Sequence, residues 1–183
     1  MVADEALVLP VVTTRLRLRP YEYGDADWLH RVFSRPDVAL YLLDPPWTRA
    51  DAERKLAERR ERTDLDSPSG SLSLVAELDG APIGAVTLWR TGEPAGRAEI
   101  GWTFDPERHG HGYAREAARA LLDIAFDHYR LHRVAAQMDA RNTASARVAE
   151  AIGMRREAHL RRDFHLKGEW TDTVVYAALR DDR

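Results

Sequence analysis

The chain has 183 residues, 44% of them hydrophobic and 31% charged, with no cysteine; that length buries a core without metal or disulfide staples, and disorder, fibrous architecture and thiol chemistry are excluded. A net charge of -3 argues against a general nucleic-acid binder, which needs a basic surplus to meet phosphates. No apolar run approaches the roughly 20 residues of a membrane span, and the acidic opening MVADEALVLPVV is unlike the basic start of a signal peptide, so a cytoplasmic chain with no membrane partner is expected.

Arg15-Leu16-Arg17-Leu18-Arg19 alternates strictly and predicts a first or edge strand with one wet face. Residues 25–34 and 48–62 carry helical spacing, and Thr48 with Asp51 three positions on makes a capping pair for the second helix. Between them lies Leu42-Leu43-Asp44-Pro45-Pro46-Trp47, whose prolines forbid helix. Trp47 there is a candidate wall of a substrate mouth, with a cap over the core as the alternative. Residues 71–78 and 82–90 read as strands joined by Asp79-Gly80, a hairpin signal because both positions tolerate positive φ. Residues 97–104 follow as a third strand after the turn residues Gly92, Pro94 and Gly96.

Residues 112–129 are helical in period, with Ala114, Ala117, Ala118, Leu121, Leu122 and Ala125 on the buried side. A strand over 132–139 and a helix over 142–152, ended by Gly153, complete a strand-helix-strand unit. Residues 159–166 and 169–179 pair through Lys167-Gly168. With no repeat and no linker, a single domain is expected over 1–183, its core within 14–179.

Chemistry concentrates in His109-Gly110-His111-Gly112-Tyr113-Ala114. Glycines at 110 and 112 let backbone N–H groups approach an anion where a strand gives way to a helix, whose first amides and positive dipole end add to the attraction. A dinucleotide fingerprint would need glycine at Arg115, and a P-loop would need Gly-Lys-Ser/Thr, so both fail on residue identity.

The spelling resembles the Gln/Arg-x-x-Gly-x-Gly/Ala turn of the GNAT superfamily of N-acetyltransferases, with His109 as the departure. The string 98–106 (AEIGWTFDP) with Gly112-Tyr113-Ala114-Arg115-Glu116-Ala117, the segment Asn142-Thr143-Ala144-Ser145 followed by Gly153-Met154, and Gly168-Glu169-Trp170-Thr171-Asp172 are similar to the RimJ/RimL-like branch, the ribosomal-protein N-terminal acetyltransferases and their relatives. The resemblance spans residues 14–179 and implies an α+β GNAT fold: a mixed sheet of about seven strands with four helices, split between the fourth and fifth strands. It implies acetyl-CoA as cosubstrate, its pantetheine arm pairing with the strand near Trp102, Thr103 and Phe104. The pyrophosphate would meet the turn from His109 through Gly110, His111, Gly112 and Tyr113 to Ala114, with Arg115 beside it and Asn142 hydrogen-bonding the pantetheine. Ser145 is carried over as the acid for the coenzyme A thiolate. A homodimer is common in that branch.

Acetyl transfer to an amine needs a neutral nucleophile, a thioester in reach and a proton for the thiolate. At pH 7 a lysine-type amine with pKa about 10.4 is neutral about once in 2500, whereas an α-amine near 7.8 is neutral about one time in seven, so an α-amine needs a much weaker base. Glu99 is the candidate base, alternating with Gly101 and Thr103 on one face of its strand; pairing with Arg97 or Arg133 is the structural alternative. The acceptor stays open between a peptide α-amine and a small-molecule amine, and the donor between acetyl- and succinyl-CoA. Two rivals are an idle acyl-CoA-binding module and a metal site built from His109, His111, His128 and His132, whose spacing no cysteine or carboxylate completes. No metal is expected.

Overall fold

The computed structural model describes residues 6–92 and 96–182. In chain order the elements are β1 (Val11–Val12), β2 (Arg17–Arg19), α1 (Ala26–Phe33), α2 (Pro36–Ala39), α3 (Arg49–Arg60), β3 (Thr63–Asp64), β4 (Ser71–Leu78), β5 (Ala81–Arg90), β6 (Arg97–Phe104), α4 (Tyr113–Asp127), β7 (Arg133–Asp139), α5 (Thr143–Ala151), β8 (Arg155–Leu166) and β9 (Glu169–Leu179). The sheet runs β1-β2-β4-β5-β6-β7-β9-β8, with β3 paired to β4 off that path. All pairs are antiparallel except β6 with β7. The seven expected strands and four expected helices are present; β1, β3 and α2 are additional and too short to carry a period in the sequence.

Alternation along the strands feeds two apolar layers. Leu72, Leu74, Val86, Leu88 and Ile100 meet Ala117, Ala118, Leu121, Leu122 and Ala125 of α4 on one face. On the other, Val75 and Ala85 meet Trp28, Leu29, Val32 and Phe33 of α1 and Leu56 of α3. Trp47 belongs to this second layer: it is 5% exposed and stacks on Phe33 with ring centroids 4.2 Å apart. The expected substrate wall is therefore a core residue, because the Pro45-Pro46 loop folds the indole inward over α1.

Local rules explain most boundaries. Thr48 Oγ1 accepts the Asp51 amide while the Asp51 carboxylate takes the Thr48 amide, the reciprocal cap expected for α3. Asp79 (φ 50°) and Gly80 (φ 79°) turn β4 into β5. Gly153 ends α5 in a left-handed conformation, its amide on Glu150 O and that of Met154 on Ala149 O, which satisfies carbonyls the helix leaves open.

One residue of β2 departs from its pattern. Leu16 and Leu18 are buried and Arg17 is exposed as expected, but Arg19 is buried too. The turn into α1 sets Asp25 over it, and its guanidinium bonds both Asp25 oxygens at 2.9 Å and Glu77 at 2.6 Å. Pro94 of the expected turn, and the first five residues of the acidic opening, lie outside the described residues. Among the described residues no helix is long and apolar enough to cross a membrane.

Candidate active site

β6 and β7 pair only at Arg97/Arg133, Ala98/Val134 and Glu99/Ala135, while β6 stays with β5 to Phe104 and β7 stays with β9 to Asp139. A gap opens beyond Glu99. Strand backbone groups alternate sides, and the Thr91 amide donates to Arg97 O (3.2 Å) and the Asp105 amide to Ile83 O (2.9 Å). The odd-numbered residues of β6 thus bond β5, so the Glu99/Ala135 bridge takes the Ile100 N–H, and the Ile100 C=O, both backbone groups of Trp102 and the Phe104 N–H are left facing the gap. Thr103, expected among the pairing residues, directs its backbone toward its partner Ala85 instead. The gap is an internal strand edge, suited to an extended chain carrying amides.

The turn closes the wide end of the gap. Asp105, 2% exposed and held by Arg31 at 2.8 Å, accepts the Glu107 amide and starts a single 3-10 turn over Pro106–Arg108. His109 then returns its ring to Phe104, the Nε2–H donating to the carbonyl at 3.3 Å. Gly110 (φ 82°) and Gly112 (φ 78°) adopt left-handed conformations that a side chain would strain, and Gly112 is the N-cap of α4. The first amides of α4 are those of Tyr113, Ala114 and Arg115, donors of the kind that attract an anion at a helix start. Arg108 and Arg115 are exposed beside it, whereas Arg119 is tied to Asp123 and to Ile152 O.

Glu116, one turn into α4, gathers a segment distant in sequence. Its Oε1 accepts from the Thr13 hydroxyl (2.6 Å) and the Arg15 amide (2.7 Å), and its Oε2 from Arg15 Nε (2.7 Å). Burial pushes this carboxyl up, but those hydrogen bonds outweigh burial and hold it below the usual glutamate value. Arg15 also donates to His111 O at 2.9 Å and lies 4.6 Å from the Tyr113 ring centroid.

On the opposite face of β6, Glu99 stands at the point where the strands part. Its Oε1 accepts from Gln137 Nε2 at 2.8 Å. Trp89, its cross-strand neighbour, lays its indole over Gly101, 3.3 Å from where a Cβ would stand. A cleft at this place is lined by Thr91, Arg97, Glu99, Arg133, Gln137 and Val175 among others. Arg133 is engaged by Glu157 at 2.9 Å rather than by Glu99. Sequence reasoning passed over Gln137, since its nearness to Glu99 follows from sheet register.

Across the gap, Asn142 follows β7 and caps α5, its Oδ1 accepting the Ser145 amide at 3.1 Å. Its side-chain amide keeps two donors on Nδ2, and Ser145 is half-buried in the first turn. The four histidines of the metal rival do not converge: His109 and His111 precede α4 while His128 and His132 follow it, and its 15 residues span about 22 Å. Among the described residues no three His, Asp or Glu side chains form a metal-binding group.

The family model for the acetyltransferase (GNAT) domain matches residues 15–155. The chain is 30% identical over 173 residues to the uncharacterized N-acetyltransferase YnaD of Bacillus subtilis, covering 94% of this chain and 98% of that one. It is 24% identical over 159 residues to the spermidine N(1)-acetyltransferase of Escherichia coli, covering 87% and 83%. The crystal structure of a GNAT-family acetyltransferase from Bacillus anthracis superposes with a TM-score of 0.84 at 31% identity, covering 93% of this chain and 98% of that one.

Proposed function

We propose that this chain, which belongs to the acetyltransferase (GNAT) family and is an acyl-CoA-dependent transferase, acetylates the α-amine of a peptide or small molecule. The observation that carries the reading is the parting of β6 from β7 immediately after Glu99, which leaves unpaired backbone groups running toward the glycine turn. The RimJ/RimL-like strings favour a peptide terminus among α-amines.

Acetyl-CoA supplies the thioester carbonyl that takes the amine nitrogen as its C–S bond breaks. The backbones of Ile100 and Trp102 bind the pantetheine amides, and Gly110 to Ala114 with Arg115 hold the diphosphate. Glu99 takes the proton from the acceptor ammonium, directly or through water. Gln137 fixes Oε1, which leaves Oε2 to accept. Ser145 gives a proton to the leaving thiolate and regains one, through solvent, from the second proton that the acylated nitrogen sheds as the amide forms, and Asn142 steadies the pantetheine from across the gap.

Charge supports the α-amine. Among the described residues that line the cleft Glu99 is the one carboxylate, too little to hold a polycation, and a single carboxylate suits an amine that is neutral about one time in seven at pH 7.

Coenzyme A release, measured with acetyl-CoA and succinyl-CoA against terminal peptides, amino acids and polyamines, tests the assignment. Turnover is expected with α-amines and acetyl-CoA. Preference for polyamines overturns the acceptor class, and tight acyl-CoA binding without turnover of any amine marks an idle module. Glu99→Gln is expected to lower kcat/KM by about 10²–10⁴-fold; an undiminished kcat/KM excludes Glu99 as the base.

A further inference from the structure

We infer that Arg15, outside the cofactor turn in sequence and in the strand path, is a positioning residue that aims the Gly112 amide at the diphosphate of acyl-CoA, an inference resting on the coenzyme A reading of that turn. Across a trans peptide the carbonyl and the following N–H point in opposite directions. Arg15 Nη1 donates to the His111 carbonyl at 2.9 Å. The N–H of the same peptide unit, on Gly112, is thereby directed away from Arg15 and outward from the turn.

The peptide needs such a hold. Gly110 and Gly112 flank it in left-handed conformations, and glycine crosses between conformations more easily than any other residue. Nothing in the spelling of the turn fixes which way the 111–112 peptide plane faces. Arg15 does, and it is itself fixed from three sides: Nε to Glu116 Oε2 at 2.7 Å, its own amide to Glu116 Oε1 at 2.7 Å, and its guanidinium 4.6 Å from the Tyr113 ring centroid. Glu116 in turn belongs to the first turn of α4. Strap, turn and helix form one closed hydrogen-bonded ring whose product is the direction of one amide.

Engagement with Glu116 also decides how Arg15 acts. A guanidinium paired at 2.7 Å with a carboxylate adds little net charge to an incoming phosphate. Its planar fork, which bonds a carboxylate and a carbonyl at once, is the property in use, and lysine lacks it.

The test compares acetyl-CoA with acetyl-pantetheine, which has the same thioester and arm but no diphosphate. In the wild-type protein acetyl-CoA is expected to have the higher kcat/KM. Arg15→Met keeps an apolar stem over Tyr113; it is expected to raise KM for acetyl-CoA about tenfold, the worth of one charge-assisted hydrogen bond, with kcat and the acetyl-pantetheine kcat/KM within about twofold of wild type. Loss of both substrates in parallel, or of neither, overturns the inference, the first because it reports general damage. Arg15→Lys separates orientation from charge: the preference is expected to stay low, and its full recovery would make Arg15 an electrostatic contact instead. If the wild-type protein itself does not prefer acetyl-CoA, the diphosphate reading of the turn fails and the inference fails with it.

Discussion

Gly84 lies directly across the β5–β6 ladder from Phe104, and a methyl group built on it would overlap the Phe104 ring. The ring fills the space a side chain would take, and Phe104 is the last residue before the loop to the glycine turn. Gly84→Ala is expected to destabilise by about 1–3 kcal/mol through overpacking and to weaken acyl-CoA binding, both readable by urea unfolding and calorimetry. The buried ion pair makes a second residue-level case. Arg19 pairs with Asp25, which is 2% exposed, and is raised well above the usual arginine range chiefly by that hydrogen bond, against the opposing effect of burial. Arg19→Met strands the buried Asp25, while Glu77 keeps Arg17 at 3.3 Å, and is expected to lose about 3–5 kcal/mol of unfolding free energy, part of which Asp25→Asn restores in the double variant. Neither position is visible from its own sequence neighbourhood. Gly84 reads as a plain strand glycine, and Arg19 as the wet side of an alternating strand, because the residues that define their surroundings arrive from β6 and from the turn before α1.

At the scale of elements, sequence was legible wherever a local rule operates. The cap at Thr48, the Asp79-Gly80 and Lys167-Gly168 turns, the apolar face of α4 and the stop at Gly153 all depend on contacts within about five residues, and each appears where its residues are. The cap of α3 carries a pH signature. Asp51 is held down to about 2, first by the Thr48 hydroxyl, then by the Thr48 amide and Arg54. Its folded value lies below its unfolded value of 3.8, so its contribution is complete above that value and is lost as pH falls toward about 2. The stability difference between wild type and Asp51→Asn is therefore expected to be level above about pH 4 and to shrink below it, as acid titration of unfolding would show. What local rules could not reach is pairing. The join of Gln137 to Glu99 depends on where the parallel register of β6 and β7 stops, and that of Arg15 to His111 spans 96 positions.

For the whole molecule, the order of elements and the motif strings were enough to anticipate the family, since they preserve topology even where side chains differ. The acceptor was not legible in the same way, because the cleft proposed for it is assembled from the loop after β5 and from β6, β7 and β9, and its character depends on which side chains share a face. The parting of β6 from β7 has one further consequence. A closed sheet would satisfy the Ile100 carbonyl and the Trp102 amide within the chain; here their satisfaction is left to a solute, and folding is thereby linked to mass action. A ligand that fills the gap at 100 times its Kd adds about 2.7 kcal/mol to the unfolding free energy. A melting temperature that climbs with coenzyme A concentration, together with slowed hydrogen exchange at the Trp102 amide, is the expected record; a melting temperature indifferent to coenzyme A would contradict it. The stability of this protein in a cell would then rise and fall with the acyl-CoA pool.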